Sequence, residues 1–158
     1  MTRLLNILTV FVLVSAAIGL ASAQSDPRIG TWKLDIEKSK FAPAAARTGE
    51  TRTYKLSGGA VMAHVEGTSS NGSKDKYSYD ATPDGKDHPY ITGNPGGADA
   101  LSGKRKGNGF TFDNKKGGKV LYTVTATFSP DGRVMTLTTK GMNAAGQSIN
   151  SVRVYDKQ

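Results

Sequence analysis

Val120-Leu121-Tyr122-Thr123-Val124-Thr125-Ala126-Thr127-Phe128 alternates without a break. In an extended chain Val120, Tyr122, Val124, Ala126 and Phe128 fall on one face, and Leu121, Thr123, Thr125 and Thr127 on the other. That is a strand with one face towards a core. The same texture continues outward from it. Val134 to Lys140 and Ser148 to Tyr155 read as two more antiparallel strands, separated by the tight corners Pro130-Asp131-Gly132 and Ala145-Gly146. Upstream, turn signals recur at Gly58-Gly59, Asn71-Gly72, Pro83-Asp84-Gly85, Asn94-Pro95-Gly96-Gly97, Gly107-Asn108-Gly109 and Gly117-Gly118. Glycine supplies positive φ at such corners, and proline presets the approach to them. Short runs rich in Val, Thr, Tyr and Phe lie between, giving about ten strand candidates, the weakest being His88 to Thr92. A meander of this length hides its edge strands by closing on itself.

The two ends of that meander carry the most informative residues. In Ile29 to Ile36, Trp32, Leu34 and Ile36 share a face, and Trp32 reads as an anchor filling the closed end of a barrel. In the last strand Ile149, Ser151, Arg153 and Tyr155 share one face, and Asn150, Val152, Val154 and Asp156 the other. Apolar preference places Val152 and Val154 inside. The opposite register would place a guanidinium and a phenol in an apolar interior, where Arg153 needs an acceptor that a ligand carboxylate or phosphate could supply. A third arrangement stacks Arg153 on Trp32 as a structural cation–π contact at the barrel base.

Residues 1–23 read as a secretory signal peptide. Arg3 supplies the positive start, Leu4 to Leu20 the apolar run, and Ala21-Ser22-Ala23 the small residues before a cut at Gln24. Residues 24–158 then form a single domain. Cleavage removes only one charged residue, so the net charge of +8 falls by one. A basic chain of this kind favours weak contact with anionic envelope surfaces. The sequence has no cysteine, which excludes disulfides, thiol chemistry and thiolate metal sites.

Its two histidines, His64 and His88, stand apart from any carboxylate cluster in the sequence, so no metal site, cofactor or catalytic residue is expected. Lys104-Arg105-Lys106 and Lys115-Lys116 flank Phe110 and Phe112, but these basic groups are small and scattered. They read as solvated turns, and no nucleic-acid partner is expected. Glu37 to Arg47, with Ala44-Ala45-Ala46, is the one helix candidate, limited by Pro43 to a turn or two.

Gly30-Thr31-Trp32-Lys33-Leu34 resembles the opening strand of the fatty-acid-binding proteins and the Gly-x-Trp pattern of lipocalins and avidins. Arg153-Val154-Tyr155-Asp156-Lys157 resembles the closing strand of the fatty-acid-binding proteins, where an Arg-x-Tyr pair grips a carboxylate inside a ten-stranded barrel. The chain is also similar to small secreted bacterial lipocalin-like proteins of unassigned function.

The resemblance implies an all-β, single antiparallel up-and-down barrel of calycin type, with eight to ten strands and at most one short helix after the first. It turns Arg153 inward and implies a ligand site of Arg153, Tyr155, Trp32, Tyr122 and Phe128. Two features depart from that family. Glu37 to Gly49 is too short for its two-helix lid, and Val120 to Phe128 lacks its second cavity arginine. The expectation is a periplasmic or secreted, non-enzymatic barrel that binds a small apolar or amphipathic, anionic ligand. The alternative is an envelope or interaction protein with a filled core.

Overall fold

The computed structural model describes residues 26–42, 47–93 and 95–158. The expected signal peptide and its cleavage site lie outside the described residues, as does Ala44-Ala45-Ala46. The described residues form ten strands: β1 (Gly30–Lys40), β2 (Arg47–Ser57), β3 (Ala60–Ser69), β4 (Lys74–Asp80), β5 (Asp84–Thr92), β6 (Ala100–Lys106), β7 (Gly109–Lys116), β8 (Lys119–Phe128), β9 (Val134–Met142) and β10 (Ser148–Lys157). Each pairs antiparallel with its neighbours in sequence, and β1 pairs with β10 to close the barrel. Closure leaves no edge to pair with another chain. The fold is the all-β calycin-type barrel.

Turn chemistry does what the sequence requires of it. Gly58 and Gly59 (φ 57° and 86°) join β2 to β3 through a two-residue loop closed by the Ser57–Ala60 pair, the twist-matched hairpin turn that side chains with a Cβ resist. The weakest strand in the sequence, His88 to Thr92, belongs to β5. Its pairing with β4 is confined to Ser78–Thr92 and Tyr79–Tyr90.

Three sequence expectations need correction here. Glu37 to Lys40 continue β1 and are not helical. Asp35 accepts from the Lys38 amide at 3.1 Å, the Ser39 hydroxyl donates to the Asp35 carbonyl at 2.5 Å, and Ser39 Oγ accepts from the Val154 amide at 3.0 Å. These bonds hold an irregular bulge against β10 between Asp35 and Lys40. Ile36 lies beyond the last β1–β2 pair, Lys33–Thr51, and is exposed rather than in the core with Trp32 and Leu34. Val120 leaves the face of Tyr122 because Leu121 is an extra residue opposite the Asn114–Lys115 step of β7, and an extra residue reverses the alternation.

One end of the barrel is solid. Trp32 is fully buried, with Phe128 at 5.8 Å between ring centroids and Phe110 edge-on to Phe128 at 6.2 Å. The arginine that seals this end is Arg28, not Arg153. Its carbonyl accepts from Trp32 Nε1 at 2.7 Å, and its guanidinium lies 3.9 Å from the Phe110 centroid. Asp26 and the Ala81 carbonyl accept from the same guanidinium. The cation beside Trp32 is Lys157, with Nζ 5.0 Å from the ring centroid.

Candidate functional site

In β10, Ser151, Arg153 and Tyr155 point into the barrel, and Val152 and Val154 are half-buried on its outer side. The choice between the two faces follows from register. Residues directly opposite across a sheet share a face. Tyr155 stands opposite Leu34 on β1 and Met135 on β9, both buried, and Arg153 stands opposite Leu137. The apolar rule alone gives the wrong face because it leaves out an acceptor from elsewhere in the chain.

That acceptor is Glu50 on β2, whose carboxylate is buried. One oxygen, Oε1, accepts from Arg52 Nε at 2.6 Å and from the Tyr155 hydroxyl at 2.5 Å. The other, Oε2, meets Arg47 Nε at 2.8 Å and Arg153 Nη1 at 3.3 Å. Arg47 also makes a two-pronged pair with Asp75 on β4. Arg52 reaches on to the hydroxyls of Tyr77 at 2.8 Å and Tyr79 at 3.4 Å. Three guanidiniums thus face two carboxylates, leaving the cluster one positive charge in excess.

Electrostatics follow from this crowding. Burial by itself would push the Glu50 carboxyl up. Arg52, then Arg153 and Arg47, and the Tyr155 hydroxyl outweigh that and pull it down to about 2. Burial also pushes the Tyr77, Tyr79, Tyr90 and Tyr155 phenols upward, and Tyr122 up to about 12. These tyrosines are therefore neutral hydroxyls over the physiological range.

Beside the cluster lies a cavity of about 160 Å³ inside the barrel. Five of the chain's six tyrosines line it: Tyr54, Tyr77, Tyr79, Tyr90 and Tyr122. The sixth, Tyr155, stands in the cluster beside it. Leu101, Phe112, Val124 and Leu137 form its apolar wall. At the mouth, the short 3₁₀ turn Pro95–Gly97 comes over the top. The Tyr122 hydroxyl donates to the Pro95 carbonyl at 2.7 Å, and the Gly96 carbonyl accepts from the Ala144 amide at 2.8 Å. A side chain at Gly96 would crowd the Tyr122 ring, its Cβ falling 2.9 Å from it.

Arg153 is incompletely satisfied in this setting. Its contacts to Glu50 and to Thr139 Oγ1 are long, at 3.3 and 3.4 Å, and its buried Nε has no partner. The Tyr54 and Tyr79 hydroxyls are 3.5 Å apart, at the limit of a hydrogen bond. Arg153, Tyr54 and Tyr79, whose hydrogen bonds are long, all line the cavity.

Of the five residues read from the sequence, Arg153 and Tyr122 line this cavity. Tyr155 lies in the ion cluster beside it. Trp32 and Phe128 belong to the solid end and do not line it. Sequence reading missed Glu50, Arg52 and the tyrosines of β2, β4 and β5. A signal was present. Arg47 to Tyr54 has Thr48, Glu50, Arg52 and Tyr54 on one face and Arg47, Gly49, Thr51 and Thr53 on the other. A barrel strand without an apolar face must place polar groups inside. A second buried arginine, Arg52, stands on β2.

His64 is exposed and lies 3.4 Å from Glu66. His88 lies between Asp80 and Asp84, and neither histidine lines the cavity. Among the described residues no group of three or more His, Asp or Glu side chains is placed to hold a metal ion. A larger concavity of about 560 Å³ lies where β1 and β2 diverge. It is a groove of mixed charge in which Lys76 already pairs with Glu66 at 3.0 Å, so the interior cavity is the stronger candidate.

No protein-family model and no curated protein sequence matches the chain. Among solved structures it is similar to zebrafish ileal bile acid-binding protein in complex with cholic acid. The TM-score is 0.53 at 14% identity, over 84% of this chain and 99% of that one. At that identity the likeness is one of fold.

Proposed function

We propose that the protein binds a small anionic, amphipathic molecule inside its barrel and does so outside the cytoplasm, after loss of residues 1–23. The observation that carries this reading is Arg153. It lines a cavity with an unpartnered Nε, two long contacts and one uncompensated positive charge in its cluster. A buried cation so placed favours an acceptor from a ligand. A solved barrel of like fold is complexed with cholic acid, which supports the reading that a barrel of this fold takes a small amphipathic acid. The polar lining is made of arginines, neutral phenols, Asn114 and Thr139. That set can hold and orient an anion, and it offers no imidazole or carboxylate base, so the reading is one of binding and not catalysis.

A second reading has its own support. Glu50 already occupies the Arg–Tyr clamp, and the cavity is below the usual range for drug-sized ligands, about 300–1,000 Å³. On that reading the core is a self-satisfied polar network, and the barrel serves as an envelope or interaction protein.

Mass spectrometry of ligands released from the purified, denatured protein separates the two, together with titration of small organic acids into the native protein. An anion that co-purifies or binds, and binds about tenfold more weakly to Arg153→Gln, supports the first reading. Equal loss of acids and their neutral analogues in that variant would refute the role of the guanidinium. Absence of any bound acid would leave the filled barrel.

A further inference from the structure

We infer that the ligand is a single-ring aromatic monoanion, an acid the size of benzoate, and not a long-chain or polycyclic one. This rests on the anion-binding reading above and narrows it by volume, wall chemistry and charge.

Volume comes first. The cavity measures about 160 Å³. An apolar cavity of about 150 Å³ holds one benzene ring. Extension beyond that volume is blocked. At the closed end stand Arg28 and the Trp32–Phe128–Phe110 base, and the Glu50 cluster occupies one side. Above, the Pro95–Gly97 turn is tied down by Tyr122 and Ala144. A sixteen-carbon chain or a fused four-ring acid has no room between them.

The wall suits a ring. Tyr79 and Tyr90 meet edge-to-face at 5.5 Å between centroids and 61°, and Phe112 and Tyr122 supply further faces and edges. Aromatic groups pack on one another in such offset and edge-on arrangements, with a gain beyond buried area alone. Leu101 and Val124 complete an apolar slot for the ring.

Charge sets the number of acid groups. The cluster beside the cavity carries one positive charge in excess, so one carboxylate neutralises it. A second would meet the buried Glu50 carboxylate, and like charges at close range in a poorly solvated interior repel strongly. Arg153, Tyr54 and Tyr79 line the cavity with long, weak hydrogen bonds, and their donors can turn to the two acceptor oxygens of one carboxylate.

Isothermal titration of benzoate, benzamide, palmitate and cholate into the purified protein tests this. The expected result is saturable binding of benzoate, about tenfold or more tighter than its neutral isostere benzamide, with no displacement by palmitate or cholate. Palmitate or cholate binding as tightly as benzoate would overturn the size limit while leaving the anion reading intact. Benzoate and benzamide binding equally would overturn the charge argument. Failure of every acid to bind would overturn this inference and the proposed function together. Val124→Phe fills the slot from its wall. With native Trp32 emission as the check on folding, it should lose benzoate binding, and unchanged affinity would overturn the placement of the ring.

Discussion

Glu50→Gln removes the one acceptor that Arg47, Arg52, Arg153 and Tyr155 share. The amide keeps the shape and loses the charge. Two routes give the size of the effect. A carboxyl that falls from 4.5 to about 2 on folding contributes stability on the order of 3 kcal/mol at neutral pH, at about 1.4 kcal/mol per pH unit. Breaking a buried ion pair by removing one partner costs about 3–5 kcal/mol, because the partner charge stays buried. Arg52, only 4% exposed, is that charge. The two estimates agree.

The sign with pH follows from the depressed carboxyl. Its contribution is complete above 4.5 and fades as pH falls towards 2, where the native carboxylate takes up its proton. Urea unfolding of parent and variant, followed by Trp32 fluorescence from neutral pH down to about 2.5, measures it. The gap between them should be about 3 kcal/mol at neutral pH and should shrink steadily below about pH 4.5. A variant within about 1 kcal/mol of the parent at neutral pH, or a gap that does not narrow in acid, would refute the assignment of Glu50 as the common counter-ion.

Alkaline titration should show the opposite limb. Tyr77, Tyr79, Tyr90, Tyr122 and Tyr155 are all raised by burial, so their neutral forms stabilise the fold fully below about pH 10 and lose that contribution as pH rises through the raised values. Tyrosinate absorbance should therefore lag that of the denatured chain at about pH 11 and rise sharply on unfolding. A lag-free curve would contradict the buried cluster. Gly109→Ala places a Cβ on the backbone carbonyl of Ala126, whereas Gly49→Ala meets nothing. Chemical unfolding should show a loss of about 1–3 kcal/mol for the first and less than about 0.5 kcal/mol for the second, and equal effects would contradict the β7–β8 packing. Phe128→Ala should cost about 3–5 kcal/mol and shift Trp32 emission. Because Phe128 lies outside the cavity lining, its benzoate affinity should stay within about twofold of the parent, and a larger loss would put Phe128 in the site.

The barrel itself is legible in the sequence because its signals are local. Period-two alternation in Tyr122 to Phe128 and glycine pairs at the corners each act within a few residues, and ten such units leave closure as the way to remove edges. Failures of alternation at Val120 and Ile36 come from bulges, which depend on the partner strand and leave no mark in the strand that carries them. The site is harder to read for a related reason. Arg153 and Glu50 are separated by 103 residues, and each looks like a surface residue until the other is placed beside it. The resemblance at Arg153-Val154-Tyr155 turned the strand the right way. It could not show that an internal carboxylate, Glu50, meets the pair from the far side of the β1 strand, nor that Arg52 is buried beside it. The tyrosines were visible one at a time, and only the closed wall gathers five of them around one cavity.

A crystal structure of the protein grown with benzoate tests the central claim most directly. The account predicts one ring in the slot between Tyr90, Leu101 and Val124, its carboxylate within hydrogen-bonding distance of Arg153, and Glu50 still held by Arg52 and Tyr155. An interior holding only water, with Arg153 keeping its long contacts to Glu50 and Thr139, would contradict it.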